Sequence, residues 1–254
     1  DKGSAIKSDQ FLQQAIELQP REPQDVIELT NLLLKQHKPD QALRILDDLI
    51  GLSMSPVLLQ LQKAAIIRET KGVREEIKLL VQLIKQEPRN PLILARLCSA
   101  YLQVNQPQDA IKAGQFAIKH GEKELSIGQL SKLNYQVGTL FLRSGQLDQA
   151  LSYLSKSIKL TPHFIDAYIE IGKTLQARRD SAKALSYLED AMLIAPHDPR
   201  PYLHAGILLK ESKEYLGAET MLKKASALDP DDVNIKRQLA AVIAMAIIHQ
   251  NESR

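Results

Sequence analysis

The sequence has no tryptophan, a single cysteine, and aromatic residues at only 4% of its 254 positions. One cysteine excludes a framework of intrachain disulfides and is typical of a reducing compartment, so we expect a cytoplasmic location. The longest nearly unbroken apolar run, residues 239–248, is about half as long as a membrane-crossing helix requires. Charge of one sign is not in excess either, because 33 basic residues face 30 acidic ones without any long run of like charge. This balance argues against nucleic acid or a membrane surface as the partner.

The motifs of common catalytic and cofactor sites are also missing. The sequence contains no G-x-S-x-G, phosphate loop, dinucleotide fingerprint, H-E-x-x-H or C-x-x-C. His163 and His197 are 34 residues apart, which places them on successive repeat turns about 10 Å from each other, too far to share one metal ion. We therefore expect no enzymatic activity, no cofactor and no metal site.

What the sequence does have is a period of 34 residues. Proline recurs at 162, 196 and 230, alanine at 150, 184 and 218, and glycine at 138, 172 and 206. A period of this length is typical of repeats that stack on one another. Numbering each proline as repeat position 32 defines six repeats, at 23–56, 57–90, 91–124, 131–164, 165–198 and 199–232.

Each repeat has the pattern of two helices joined by a short turn. Apolar residues at positions 4, 7, 8 and 11 share one helical face, and those at 20, 24 and 27 share another. Gly145 and Asn105 stand in equivalent places just past the first helix, where a left-handed backbone conformation can close the last turn. Small residues at positions 8 and 20 let the two helices approach closely beside a leucine at position 24.

These residues carry a resemblance to the tetratricopeptide repeat family, whose pattern is a small residue at 8, a bulky one at 11, alanine at 20 and 27, and proline at 32. The resemblance implies an all-α fold, a right-handed superhelical solenoid of antiparallel helix pairs. It also implies a scaffold or adaptor function, with the first helices lining a concave groove that binds protein. Glu76 departs from the pattern at position 20, and we expect Glu76→Ala to be neutral or stabilising.

The period also predicts how the chain is divided. Residues 1–22 contain only the second helix of a partial repeat, with Leu12, Ala15 and Pro20 at positions 24, 27 and 32. Repeats one to three span 23–124, and repeats four to six span 131–232. Between them, residues 125–130 are an insert that is either a plain loop or a bend between two triplets; Ser126 followed by Gln129 resembles a capping box.

Residues 233–254 match a first helix that caps or docks, with Leu239, Ala240 and Ile243 at positions 7, 8 and 11. This segment is apolar nearly all round, which exceeds what a cap requires. We therefore predict self-association, as a two-fold homodimer, through Ala241, Met245 and Ile248.

In the resembled family, positions 2, 5, 9, 12 and 13 of the first helices face the ligand. Projecting this sequence onto them gives the candidate peptide-binding residues Asn31, Leu58, Leu61, Leu92, Tyr135, Arg143, Ile169, Lys173, Arg200, Leu203 and Lys210.

Two candidate grooves follow from this set of residues. Tyr135, Ile169 and Leu203 share position 5 and form a predicted apolar row with cations beside it, which favours a protein or peptide partner that carries hydrophobic and acidic residues. The leucines of repeats two and three form the alternative, an apolar wall. Peptide binding and self-association remain the two function hypotheses.

Overall fold

A computed structural model of the chain describes residues 22–51 and 56–252. Within these ranges it contains thirteen α-helices and no β-strand, which confirms the all-α class. The helices are α1 Pro23–Lys35, α2 Pro39–Ile50, α3 Pro56–Lys71, α4 Val73–Gln86, α5 Pro91–Gln103, α6 Pro107–His120, α7 Ile127–Arg143, α8 Leu147–Leu160, α9 Ile165–Ala177, α10 Ser181–Ile194, α11 Pro199–Glu211, α12 Tyr215–Leu228 and α13 Val233–Glu252. The predicted second helix within residues 1–22 lies outside the described residues.

The helices form two compact units, which divide between Glu124 and Leu125. Helices α1–α6 belong to the N-terminal unit and α7–α13 to the C-terminal unit. Inside each unit every first helix packs on the second helix of its own repeat, and that second helix packs on the next first helix. This consecutive packing makes each unit a stack of helix pairs, the arrangement of a helical-repeat solenoid.

The turn inside each repeat depends on one residue with a left-handed backbone. Position 15 has a positive φ in five of the six repeats, at His37, Asn105, Gly145, Arg179 and Lys213, with φ between 56° and 74°. Only in the second repeat does the turn come one residue later, at Gly72 with φ 91°, because α3 extends to Lys71. The amide after this residue donates to the carbonyl five residues earlier, as from Gln146 to Phe141 at 2.9 Å. These bonds satisfy carbonyls that the end of the first helix would otherwise leave without a donor.

In the fourth, fifth and sixth repeats a close contact joins position 8 to position 24. A Cβ atom added to Gly138, Gly172 or Gly206 would lie only 2.7, 2.9 or 2.5 Å from the Cγ of Leu154, Leu188 or Leu222 respectively. The alanines at position 20 of these repeats, Ala150, Ala184 and Ala218, are fully buried beside this contact. The pair of helices is therefore held at a separation that only a residue without a side chain permits at position 8.

The predicted capping box is present at the start of the C-terminal unit. The Ser126 amide donates to Gln129 Oε1 at 2.8 Å, and the Gln129 amide donates to Ser126 Oγ at 3.2 Å. Helix α7 consequently has 17 residues, against 13 in α9 and in α11. The insert thus adds about one helical turn to the first helix of the fourth repeat.

The second repeat holds a buried carboxylate where its relatives in the chain hold alanine. Glu76 is fully buried; its Oε1 accepts a hydrogen bond from Arg96 Nε, and its Oε2 lies 4.0 Å from Arg68 Nε. Arg68 comes from α3 and Arg96 from α5, so Glu76 joins three consecutive helices. This contact reverses the sequence-based expectation for Glu76→Ala, since the substitution removes a charged hydrogen bond rather than an unpaired carboxylate.

The only cysteine of the chain, Cys98 at position 8 of the third repeat, is fully buried, and burial raises the pKa of its thiol to about 12. Gly114 occupies position 24 of the same repeat and is also buried. In this repeat the larger residue of the pair, Cys98, is thus on the first helix, and the smaller one, Gly114, is on the second. The thiol is therefore a packing group.

The last helix buries a different stripe of residues from the one that positions 8 and 11 mark. Ile235, Val242 and Ala246 of α13 are buried, whereas Ala240 is exposed and Ile243 is 38% exposed. Positions 8 and 11 face the second helix of their own repeat in α9 and α11, and no such helix follows α13 within the described residues. No described helix combines the length and the apolar content that a membrane span requires.

Two glycine substitutions test the contact between positions 8 and 24. Gly206 and Gly217 both lie in helices, so alanine gains up to about 1 kcal/mol of helix propensity at either position. A Cβ at Gly217 would lie 3.4 Å from Leu209, which is ordinary contact, whereas one at Gly206 would collide with Leu222. We expect Gly217→Ala to be neutral or stabilising and Gly206→Ala to lower the free energy of unfolding in urea by about 1–3 kcal/mol. Equal stability of the two variants would contradict the contact.

Substitution of Glu76 by alanine tests the buried ion pair. We expect a loss of about 1–3 kcal/mol in the free energy of unfolding, because a hydrogen bond to a charged group is lost. Glu75→Ala is the matched control, since Glu75 bonds Lys78 at 2.6 Å on the exposed side of the same helix, and an exposed pair contributes less than about 1 kcal/mol. A Glu76→Ala protein as stable as the Glu75→Ala protein would show that the pair contributes nothing net.

Candidate functional site

The first helices form the inner layer of each unit. Consecutive first helices contact one another, α1 with α3, α3 with α5, α7 with α9, α9 with α11 and α11 with α13. Among the described residues, consecutive second helices make no such contacts. The layer whose helices lie closer together is on the inside of the curve, so the first helices line the concave side of their unit.

In the N-terminal unit this face carries an apolar patch. Leu58 at position 2 of α3 is 41% exposed. Leu61, one turn further along α3, and Leu92 at position 2 of α5 are partly exposed. We call these three residues the leucine patch. Its side chains are available to a ligand, because their apolar surface is only partly covered by the neighbouring helices.

An amide pair lies on the same face as the leucine patch. Gln62 Nε2 donates to Asn31 Oδ1 at 2.8 Å and to Thr30 Oγ1 at 3.1 Å, and Asn31 is exposed. These bonds orient the Asn31 amide through its oxygen, so that its N–H₂ group keeps the capacity to donate to a ligand. A side-chain amide offers both donor and acceptor atoms, which match the C=O and N–H groups of an extended peptide backbone.

In the C-terminal unit, the predicted apolar row of position 5 is largely covered. Ile169 is 5% and Leu203 is 8% exposed, and both belong to the hydrophobic core of this unit. Tyr135 is partly exposed and packs against Phe164, with their ring centroids 4.9 Å apart. Of the three residues, Tyr135 therefore offers the most surface to a ligand.

The cations predicted beside this row are mostly engaged with neighbours. Arg200 bonds Asp166 of α9 and its own helix-capping Asp198, each at 2.6 Å. Lys173 bonds Glu170 at 2.6 Å, and Lys210 donates to Gln238 of α13 at 2.7 Å. The bonds to Arg200 lower the pKa of Asp198, and those to Asp198 and then Asp166 raise the pKa of Arg200. Arg143 lies exposed at the end of α7.

His204 also belongs to this polar face, beside Lys173, Glu170 and Arg200, although the sequence pattern did not point to it. Burial, and then the neighbouring Lys173, lower the pKa of His204. Burial raises the pKa of Tyr135, and Glu170 and Asp166 raise it further. The sequence does contain a signal for the ion pair of Asp166 and Arg200. The two residues have opposite charges and share position 2, 34 residues apart.

The predicted self-association residues lie on α13. Ala241 is partly buried, whereas Met245 is 41% and Ile248 is 56% exposed. Ile243 at 38% and Ile247 at 55% are exposed on an adjoining stripe of the same helix. Helix α13 thus exposes apolar side chains in addition to the three that were predicted to mediate self-association.

Two parts of the sequence match models of a known repeat family. One sequence model of the tetratricopeptide repeat matches residues 175–243, and a second matches residues 131–164. No curated protein sequence matches the chain.

Several solved structures have a similar fold. PilW, described as a type IV pilus biogenesis factor, has a TM-score of 0.68 at 16% identity over 85% of this chain and 98% of its own. MamA has a TM-score of 0.60 at 21% identity over 66% of this chain and 94% of its own. A chain of the APC/C Cut9–Hcn1 tetramer has a TM-score of 0.65 at 12% identity over 93% of this chain and 45% of its own. With the period of 34 residues and the helix pairs, the matched models show that the chain carries tetratricopeptide repeats at residues 131–164 and 175–243.

Proposed function

We propose that the chain is a protein-interaction module that binds an extended segment of another protein along the first helices of the N-terminal unit. The observation that carries this proposal is the leucine patch beside the Asn31–Gln62 amide pair. Apolar side chains of the ligand would cover the leucines, and the amides would hold its backbone. The partner class is a protein or peptide with hydrophobic residues.

The physical roles of the two parts differ. Covering apolar surface contributes about 25 cal/mol for each Å² removed from water, so the leucines would supply most of the affinity. The amide bonds contribute less net free energy, because the same groups bond water when the ligand is absent. Their role is to select an extended backbone and to fix its register.

The C-terminal unit supports this assignment by contrast. Its position-5 residues Ile169 and Leu203 are already covered, and three of its four predicted cations have partners. A ligand there would have to break existing ion pairs and hydrogen bonds and also lose its own bonds to water, and both steps cost free energy. The expectation that the partner carries hydrophobic residues is therefore better supported than the expectation that it carries acidic ones.

Selection from a random peptide library against the full chain tests the proposal, followed by fluorescence polarisation with the selected peptides. We expect Leu58→Glu to weaken binding at least about tenfold, equivalent to 1.4 kcal/mol, because a charge would replace apolar contact. Asn31→Ala should weaken binding by a smaller factor, since the peptide backbone would lose one hydrogen-bond donor. Leu193→Glu is the matched control, because Leu193 is 81% exposed on the second helix α10.

Peptides that bind both variants at full strength would overturn the site. If the same peptides fail to bind a Tyr135→Ala/Lys173→Glu protein, the groove of the C-terminal unit is the binding surface. Circular dichroism of each variant verifies that its helix content is unchanged.

The second candidate function is self-association through α13. It is favoured by the concentration of exposed apolar residues on this helix, which carries Val233, Ile243, Met245, Ile247 and Ile248. Monomers seldom leave a contiguous apolar patch of this kind in water. Sedimentation velocity tests this candidate, and a chain that stays monomeric at high micromolar concentration would eliminate it.

A further inference from the structure

The ion group around Glu76 contains one positive charge more than its carboxylate neutralises. Glu76 lies on the second helix α4 and is fully buried. Arg68 reaches it from α3 and Arg96 reaches it from α5, the two neighbouring first helices; we call these two residues the arginine pair. Because two guanidinium groups contact a single carboxylate, the group has a net charge of +1.

The arginine pair is accessible although its carboxylate is not. The side chain of Arg68 is 38% exposed and that of Arg96 is 31% exposed, against 1% for Glu76. Each arginine contacts Glu76 through Nε, and neither has another hydrogen-bond or ion-pair partner among the residues that the structure describes. A guanidinium group has five N–H donors. Most donors of the pair are therefore available to a ligand.

The arginine pair lies on the same surface as the leucine patch. On α3, Arg68 follows Leu61 by seven residues, and the partly exposed Ala65 lies between them. On α5, Arg96 follows Leu92 by four residues. Residues four and seven apart share one face of a helix. The accessible face of α3 and of α5 is therefore apolar first and positively charged further along each helix.

We propose that the arginine pair binds the carboxylate of an aspartate or glutamate side chain within the ligand segment, next to the hydrophobic residues that cover the leucine patch. This inference deepens the proposed function and rests on it. Arg96 lies about 6 Å beyond Leu92 along the helix axis, and Arg68 about 10 Å beyond Leu61. An extended ligand advances about 3.3 Å per residue. The acidic residue should thus stand two or three positions from a hydrophobic one.

The charge of the group decides which anion fits. One carboxylate brings the total charge to zero, whereas a phosphate group, with a charge of about −1.5 to −2, would place excess negative charge beside the buried Glu76. A guanidinium also binds a carboxylate through two parallel N–H···O bonds. In the C-terminal unit the balance is reversed, because Arg200 bonds two carboxylates, Asp166 and Asp198. An acidic side chain therefore complements the arginine pair and not the group around Arg200.

The position of the arginine pair favours a side-chain carboxylate over the carboxylate at the end of a peptide. Gln103, seven residues after Arg96 on the same face of α5, is exposed. Accessible surface thus lies on both sides of Arg96, with Leu92 before it and Gln103 after it. A ligand can continue past the pair in either direction.

Selection from a random library of peptides with amidated C-termini tests the inference, because these peptides carry only side-chain carboxylates. Wild type should enrich hydrophobic residues, with Asp or Glu two or three positions away. Arg68→Gln should keep the hydrophobic enrichment and lose the acidic one. This variant preserves the hydrogen bond between Arg96 and Glu76, since Arg68 Nε lies 4.0 Å from the carboxylate. Arg74→Gln is the matched control, because it removes the same charge from an exposed position of the second helix α4.

Fluorescence polarisation with one selected peptide measures the interaction directly. Replacing the acidic residue of the peptide by its amide should weaken binding to wild type about tenfold and binding to Arg68→Gln less than about threefold, because the lost hydrogen bonds involve a charged group. Arg68→Lys should restore only part of the affinity, since an ammonium group cannot form two parallel bonds. The peptide substitution needs no variant of the protein, so it tests the inference whatever the stability of Arg68→Gln.

The outcomes separate the inference from the proposed function. Peptides without acidic enrichment whose binding still depends on Leu58 would overturn the inference and leave the proposed function standing. Equal acidic enrichment by wild type and Arg68→Gln would also overturn the inference alone. If wild type selects no peptide, or if the selected peptides bind Leu58→Glu and Asn31→Ala at full strength, the proposed function and the inference both fail.

Discussion

The contact between positions 8 and 24 sets the geometry on which the rest of each helix pair depends. Because glycine allows Leu154, Leu188 and Leu222 to lie against the opposite backbone, the two helices of a repeat reach a fixed separation. That separation decides which side chains the next first helix covers, and hence which residues stay exposed on the concave side. In α13, for which the described chain has no second helix, positions 8 and 11 stay exposed.

The two units fill positions 8 and 24 of their repeats with different residues. The C-terminal unit repeats glycine and leucine three times, whereas the N-terminal unit uses Thr30 with Leu46, Ala64 with Leu80, and Cys98 with Gly114. Its second repeat also replaces the small residue at position 20 by Glu76 and joins three helices through arginines. This variation accompanies the partly exposed leucines from which the proposed binding surface is built.

Fold and site differ in how far the sequence predicts them. The period of 34 residues specified the helix pairs, and the local chemistry of Ser126, Gln129, Asn105 and Gly145 specified one cap and two turns. Arg179 and Lys213 take the same left-handed turn without any preference for it, because packing of the repeat imposes the conformation. Burial at position 5 depends on how neighbouring repeats meet, which is a property of contacts distant in sequence. The ion pair of Asp166 and Arg200 was readable from the spacing, whereas the partners of Glu76 follow only from the three-dimensional arrangement.

The buried thiol of the third repeat gives the chain a built-in reporter of local opening. Cys98 is the only cysteine, and with its pKa raised to about 12 it holds almost no thiolate at neutral pH while the repeat is closed. An alkylating reagent therefore reacts only with molecules in which α5 and α6 have separated, so the labelling rate measures the free energy of that local separation. Kinetic mapping of the N-terminal unit can proceed on the natural sequence, without any engineered probe.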